Sequence, residues 1–402
     1  PRSEIAAVRL SKAGQAAKPE NASVLATNPA AISQFKTSQL SVAASYINPN
    51  VDIDGEMQTT IGPATVPSDA SEDDIADSAV IPAAFYVMPY DNKWSFGLGA
   101  FANYGLSTDY SDDFEALHFA DTAEVMTLTI NPAASYKVSD TLSLGFGISA
   151  TYADAEIGTS TPQAIEALTQ GAVPGNAQIV KLEGDDWGYG WNVGAFWHAT
   201  KTTNVALSYR AETKLNLEGD VSSDLVPTLN QGGSLDLNLA AIAELAVDQK
   251  INDQWSVQAS AVFTEWSTFE KLEAQLDDGT DLLLKEENFD NTWRGSVGVT
   301  YIMNNALTLR AGYAYDDGAV STANRSLSIP DTDRHWMTVG ATYYMSKDTT
   351  LDVGYAFITG RDAKVDKQRS ITLPGLGAVT SDLTADQSAT AHIFSLQLNT
   401  RI

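Results

Sequence analysis

Period-two alternation of apolar and small polar residues runs along most of this chain, and it constrains the fold more than any other feature. In 255–264, Trp255, Val257, Ala259, Ala261 and Phe263 share one face, Ser256, Gln258, Ser260 and Thr264 the other, and Val262 breaks the pattern. Leu142, Leu144, Phe146, Ile148 and Tyr152 alternate with Ser143, Gly145, Gly147, Ser149 and Thr151. Leu351, Val353, Tyr355 and Phe357 alternate with Asp352 and Gly354, and Phe394, Leu396, Leu398 and Ile402 with Ser395, Gln397, Asn399 and Arg401. A soluble sandwich would bury the apolar face and wet the other. Two details favour a membrane barrel. The polar face is rich in Gly, Ser, Thr and Ala, as a crowded lumen requires. Trp94, Tyr104, Tyr136, Trp187, Trp293, Tyr343 and Tyr344 lie near strand ends, where an interfacial girdle sits. Lipid rejects unpaired backbone, so an all-β span must close on itself.

Fourteen candidate strands fall near 39–47, 82–90, 94–104, 124–137, 141–157, 179–199, 204–218, 234–249, 255–276, 281–302, 306–315, 334–346, 349–360 and 389–401. Short connections at 91–93, 138–140, 200–203, 250–254, 303–305 and 346–348 alternate with long ones at 48–81, 105–123, 158–178, 219–233, 316–333 and 361–388, with 277–280 the exception. An even strand count with short periplasmic turns and long external loops is the outer-membrane pattern. The expected fold class is therefore all-β, a 14-stranded antiparallel transmembrane β-barrel in the outer membrane of a Gram-negative bacterium.

Charge and composition narrow the function. The chain carries 51 acidic against 24 basic residues, a formal net charge of −27. That balance excludes a nucleic-acid partner, which needs a Lys/Arg-rich face. Much of the acid sits in the long loops, as in 69–77 and 109–115, and reads as a solvated surface facing lipopolysaccharide; a divalent-cation role there is the alternative. Zero cysteines rule out disulfides, a thiol nucleophile and zinc–thiolate sites. No apolar run is long enough for a transmembrane helix. The chain opens at Pro1-Arg2-Ser3 without a leader-like segment, as a processed product would, or a chain that never carried one. His118, His198, His335 and His392 are scattered, and no Gly-x-Ser-x-Gly or phosphate-cradling loop appears, so neither an enzyme, a cofactor nor a metal site is expected. A lipid-modifying enzyme would need a nucleophile and base assembled from distant strands. The first 38 residues, with an Ala-rich stretch from Ala6 to Ala17, do not fit the barrel and are too few for a core of their own. A 14-stranded lumen is wider than side chains can fill. Lodging 1–38 in the lumen of a barrel formed by 39–402 meets both difficulties, and it argues against an unobstructed diffusion porin.

The chain resembles the FadL-type outer-membrane transporters of long-chain fatty acids and other hydrophobic compounds. The residues that carry the resemblance are Asn28-Pro29-Ala30, Tyr46-Ile47-Asn48-Pro49, Asn103-Tyr104-Gly105-Leu106, Asp186-Trp187-Gly188-Tyr189-Gly190-Trp191-Asn192, Ser208-Tyr209-Arg210-Ala211-Glu212, and Asn324-Arg325-Ser326-Leu327-Ser328-Ile329-Pro330-Asp331 followed by Asp333-Arg334. The resemblance implies a monomer plugged by an N-terminal hatch. It also implies capture of a hydrophobic ligand at an external groove, passage to an inner pocket, a hatch movement, and lateral release into outer-membrane lipid beside an inward kink of the third strand. The hatch contact then maps to Asn28, Pro29 and Ala30, and the kink to Phe101, Ala102, Asn103, Tyr104 and Gly105, where Gly105 would tolerate unusual dihedrals. The positions matching the family's two carboxylate-binding cations are Thr159 and Asp290, neither of them basic. By alternation the inward basic candidates to replace them are Arg210, Lys214, Arg294 and Arg310; a lumen arginine paired with an acid is the structural alternative. The chain ends at Ile402, outward by parity, where such barrels usually place an aromatic residue.

Overall fold

The computed structural model describes residues 13–373 and 377–402. Its twenty-one strand segments form one sheet. Six wall strands are interrupted and Ala64–Asp69 folds back on the first strand, so the segments make fourteen wall strands. These are β1 (Gln39–Ile61), β2 (Ala79–Pro89), β3 (Trp94–Phe101 and Gly105–Asp109), β4 (Thr122–Lys137), β5 (Leu142–Ser160), β6 (Gln178–His198) and β7 (Thr203–Arg210 and Thr213–Ser222). The series continues with β8 (Gln231–Leu239 and Ile242–Lys250), β9 (Trp255–Thr264 and Lys271–Leu276), β10 (Asp281–Glu286 and Thr292–Asn304), β11 (Leu307–Asp316), β12 (Arg334–Tyr344), β13 (Thr349–Gly360 and Ala363–Leu373) and β14 (Gly377–Arg401). Neighbours pair antiparallel in chain order, and β14 returns to β1 from Gln39↔Arg401 to Ile61↔Val379. The sheet closes on itself, which is what lipid demands of strands.

The polarity of the wall inverts part-way up, and the strand breaks mark the place. In the first half of β7, Leu207 and Tyr209 face out, while Ala206 and Ser208 are buried inside. Past the break at 211–212, Lys214, Asn216, Glu218 and Asp220 are exposed, and Leu215, Leu217 and Val221 are buried. Strand β9 does the same: Trp255 and Val257 face out near the short turns, but beyond 265–270 the outward residues are Lys271, Glu273 and Gln275, over buried Leu272, Ala274 and Leu276. The lower band has a lipid-facing exterior and a polar interior; the upper extension has a wetted exterior and an apolar interior.

The lower lumen is filled by the chain's own N-terminal segment. Three short 3-10 turns, Gln15–Ala17, Ala22–Ala26 and Pro29–Gln34, pack against the inner wall. Asn21 and Asn28 cap the second and third by accepting from Ser23 N (3.1 Å) and Ala30 N (3.0 Å), and Pro29 sits at a first-turn position that has no N–H to satisfy. The wall makes room with glycines. A Cβ on Gly145 would lie 2.2 Å from Ala30 N, one on Gly194 2.0 Å from Asn28 Oδ1, and one on Gly97 2.2 Å from Leu25 Cδ1.

Four expectations need correction. Loops 48–81 and 361–388 are largely strand: β1 runs to Ile61, β13 resumes at Ala363 and β14 starts at Gly377. There the inward apolar residues Ile53, Met57, Val365 and Leu383 alternate with acids, Gln and Thr that face water, so the membrane-type alternation is missing. Tyr104 is not in the girdle but buried in the lumen. Lys214 points outward, because the break at 211–212 shifts the alternation by one and turns Thr213 and Leu215 inward in its place. Gly105 has no positive φ. The Ala-rich stretch from Ala6 lies outside the described residues as far as residue 12; Ala16 and Ala17 are fully buried.

Gly145→Ala forces a methyl against backbone atoms of the plug, an overpacking that costs about 1–3 kcal/mol. The expected outcome is a barrel that still migrates as a heat-modifiable band on SDS gels but shows raised ion conductance in a planar bilayer. A conductance as low as the unaltered protein's would contradict the close fit.

Candidate ligand path

At the third strand the wall opens. The β2–β3 ladder runs from Pro89↔Ser95 to Ala84↔Ala100 and stops, whereas β2 stays paired to β1 as far as Ala79↔Ile47. Residues 79–83 therefore have no strand partner on the β3 side, and Pro82 lies in this edge-like stretch, a position to which strand prolines are confined. The cause is one extra residue. Between Phe101↔Thr129 and Gly105↔Met126, Ala102, Asn103 and Tyr104 oppose only Thr127 and Leu128. The bulge bends the strand inward. Thr127 Oγ1 donates to Tyr104 O (2.6 Å), and the Tyr104 hydroxyl crosses the lumen to donate to Ala240 O (2.5 Å). Above the opening, Asp109 N donates to Ile75 O (2.9 Å) and closes it again.

Arg210 joins the bend to the plug. Its guanidinium lies 5.4 Å over the ring of Phe101, and Nη2 donates to Ala26 O of the plug (3.3 Å) and to Asn131 Oδ1 of β4 (3.1 Å). Asn131 precedes Pro132, and its Nδ2 donates to Ile148 O (2.6 Å) beside that proline. On the other flank Asn28 Nδ2 donates to Ala195 O (3.0 Å). Arg310 anchors the far side, with Nη2 on Glu20 Oε2 of the plug (2.8 Å) and Nη1 on Thr342 Oγ1 (2.7 Å). Asn28, Pro29 and Ala30 thus meet the wall at β5 and β6, while Phe101 meets the plug through Arg210.

Over the plug sits an apolar chamber. Leu215, Leu217, Leu235, Leu237, Leu272 and Phe289 belong to one buried cluster with Tyr104 and Val262, the residue that broke the alternation of β9. Its lid includes Val320 and Ile329 from 317–333, a loop Arg325 ties down by donating to Val320 O, Asp331 O and Lys364 O. Into this region projects Lys285. Its ammonium has no solvent contact and no hydrogen bond, and its neighbour Glu287 stands 3.6 Å away. Burial lowers the Lys285 pKa to about 8, against the opposing pull of the Glu287 carboxylate. Lys367 and Arg369 stand within electrostatic reach. Both donate to carbonyls, Lys367 Nζ to Ala323 O (2.6 Å) and Arg369 Nη1 to His118 O.

The remaining candidates lie elsewhere. Arg294 is half-buried in β10, in register with Asp316, which pairs with Arg334 (3.0 Å). Thr159 lines a separate acidic hollow with Asp109, Asp121, Glu124, Glu156 and Lys181. Asp290 is exposed, and its N–H donates to Ala319 O (2.7 Å). Sequence reasoning passed over Lys285, although it is the lone cation ending the run Leu282-Leu283-Leu284. A bulge at Leu272/Glu273 hides its inward parity.

Such a molecule defines a class: an outer-membrane β-barrel stoppered by its own N-terminal segment and open at one seam of its wall. A family model described as outer membrane protein transport protein (OMPP1/FadL/TodX) matches residues 6–402. The chain is 33% identical over 354 residues to the long-chain fatty acid transport protein of Escherichia coli O6:H1, covering 81% of this chain and 78% of that one. It is 31% identical over 358 residues to outer membrane protein P1 of Haemophilus influenzae, with 81% and 78% covered. A solved FadL homologue from Pseudomonas aeruginosa superposes with a TM-score of 0.85 at 22% identity, covering 100% of this chain and 98% of that one. The Pseudomonas putida toluene transporter TodX gives 0.66 at 18%, covering 95% and 94%. The chain belongs to the OMPP1/FadL/TodX family of outer-membrane transport proteins.

His118 makes the loop 110–121 sensitive to acid. It is buried in the loop between β3 and β4, and neither ring nitrogen has a hydrogen-bond partner. Burial, aided by the Arg369 cation, lowers its pKa from 6.5 to about 3. An unlocked loop takes up a proton near pH 6.5 that the packed loop refuses until about pH 3, so packing weakens as pH falls through that window. Pepsin at about pH 4 should therefore nick 110–121 in the unaltered protein and do so more slowly in His118→Leu. Equal rates would contradict this.

Proposed function

We propose that this protein carries long-chain fatty acids, or anionic amphiphiles like them, across the outer membrane from the apolar chamber to the side opening at β3. The observation that carries the reading is the buried, hydrogen-bond-free ammonium of Lys285, in register with Leu272 of the apolar chamber. An acyl chain gains about 0.8 kcal/mol per buried methylene, so an apolar chamber suits it and a wet pore does not. A carboxylate on Lys285 makes a charge-assisted hydrogen bond. The E. coli relative named above for long-chain fatty acid transport supports this substrate class; the neutral toluene of TodX has no group to bond a buried ammonium.

In this reading residues 1–38 act as the hatch of a monomeric carrier. Cargo entering from the external face settles in the chamber with its head group at Lys285. The plug segment from Ala26 to Ala30 then shifts, and the bond from Ala26 O to Arg210, stacked on Phe101, passes the shift to the bend of β3. The cargo leaves sideways between 79–83 and Ala102–Asn103 into outer-leaflet lipid. A filled lower lumen argues against a diffusion porin.

Oleate uptake by a transporter-deficient Gram-negative strain should be restored by this chain. In purified protein, Lys285→Gln should weaken oleate binding by about tenfold or more, the worth of a hydrogen bond to a charged group, and leave oleyl alcohol within about twofold. Equal losses for both compounds would remove Lys285 from the head-group site, and no uptake would overturn the proposal.

A further inference from the structure

Glu287 is a buried acid in a loose ion pair. Arg310 stands 2.8 Å from Glu20 and Arg334 2.7 Å from Asp331, and Asp248, 3.8 Å from Lys18, also accepts from Gln258 Nε2 (2.7 Å). Glu287 instead lies 3.6 Å from Lys285, beyond hydrogen-bond length. Its side chain is 0% exposed, and neither carboxylate oxygen has a hydrogen-bond partner. A carboxylate so enclosed ordinarily accepts several hydrogen bonds. The neighbouring cations Lys367 and Arg369 donate to the carbonyls of Ala323 and His118, and neither stands within ion-pair distance of Glu287. Among the described residues, Glu287 is the carboxylate within ion-pair distance of Lys285, whose ammonium makes no hydrogen bond.

We propose that Glu287 is a resident stand-in for the cargo's head group: it neutralises Lys285 while the chamber is empty, and a cargo carboxylate displaces it. The inference rests on the anionic cargo proposed above. A bare ammonium in this chamber would be costly to bury, and a tightly bonded pair would exclude cargo. The loose pair avoids both. It makes loading an exchange of one carboxylate for another, so Glu287 helps expel the cargo it admits. Its presence sets the affinity for anions low enough for release and has no bearing on neutral amphiphiles.

The test compares oleate and oleyl alcohol in the full-length protein. Glu287→Gln removes the competitor at nearly constant shape. Oleate should bind about tenfold or more tightly and dissociate more slowly, so that uptake at saturating oleate falls. Oleyl alcohol should change by less than about twofold. Glu287→Asp keeps the negative charge but draws the carboxylate back from Lys285; it should tighten oleate by a smaller factor, and it serves if Glu287→Gln loses the heat-modifiable barrel. Oleate affinity unchanged or weakened in both variants, with the unaltered protein binding both ligands, would overturn the role of Glu287 alone. Failure of the unaltered protein to bind either ligand would overturn the anionic-cargo reading and this inference with it.

Discussion

In hydrocarbon every backbone N–H and C=O must find a partner within the protein, and the rest of this structure depends on that demand. It closes fourteen strands into a ring and leaves a lumen too wide for side chains to fill. The chain's first segment fills the lower part, and the wall yields to it at Gly97, Gly145 and Gly194. The same demand makes the seam between β2 and β3 conspicuous. A ladder that stops at Ala84↔Ala100 while its neighbour runs on to Ala79↔Ile47 gives up strand pairing along one edge of the wall. Tyr104, braced against Ala240 across the lumen, holds the bulge in place.

Inversion of polarity along the longer strands, as in β7 and β9, separates two kinds of interior. Where the exterior meets lipid, the interior is polar and holds the plug through Arg310, Asn28 and Arg210. Where the exterior meets water, leucines line the interior and Lys285 enters it. One alternation of period two thus builds a stopper seat below and an apolar chamber above. Arg210 stands where the two meet, touching plug, wall and bend at once.

Much of this was legible in the residues. The strand count and the short turns followed from runs such as Trp255–Thr264, since a lipid-facing strand repeats strictly with period two. Even the exception in that run, Val262, has a reason: it faces inward and joins the chamber. The extensions above the membrane were hidden, because in β1 and β14 the outward residues are hydrophilic and Ile53, Met57 and Leu383 are widely spaced. Facing was lost wherever a ladder skips residues, as at 211–212 for Lys214 and at Leu272/Glu273 for Lys285. Partners far apart in the chain, such as Glu20 and Arg310, leave no local mark, so Arg310 as a head-group ligand and Arg310 as a plug anchor could not be told apart. The resemblance pointed to Asn28-Pro29-Ala30 and to the bend; the bond from Arg210, stacked on Phe101, to Ala26 O of the plug left no mark in the sequence.

The lateral release proposed above requires the seam between β2 and β3 to stay open. Deleting Asn103 removes the extra residue that breaks the β2–β3 ladder and lets Gly105 continue the register of Phe101. If release is lateral, this variant assembles as a heat-modifiable barrel, binds oleate as the unaltered protein does, and fails to support oleate uptake in a transporter-deficient strain. Uptake at the unaltered rate with the seam closed would mean that cargo takes another route.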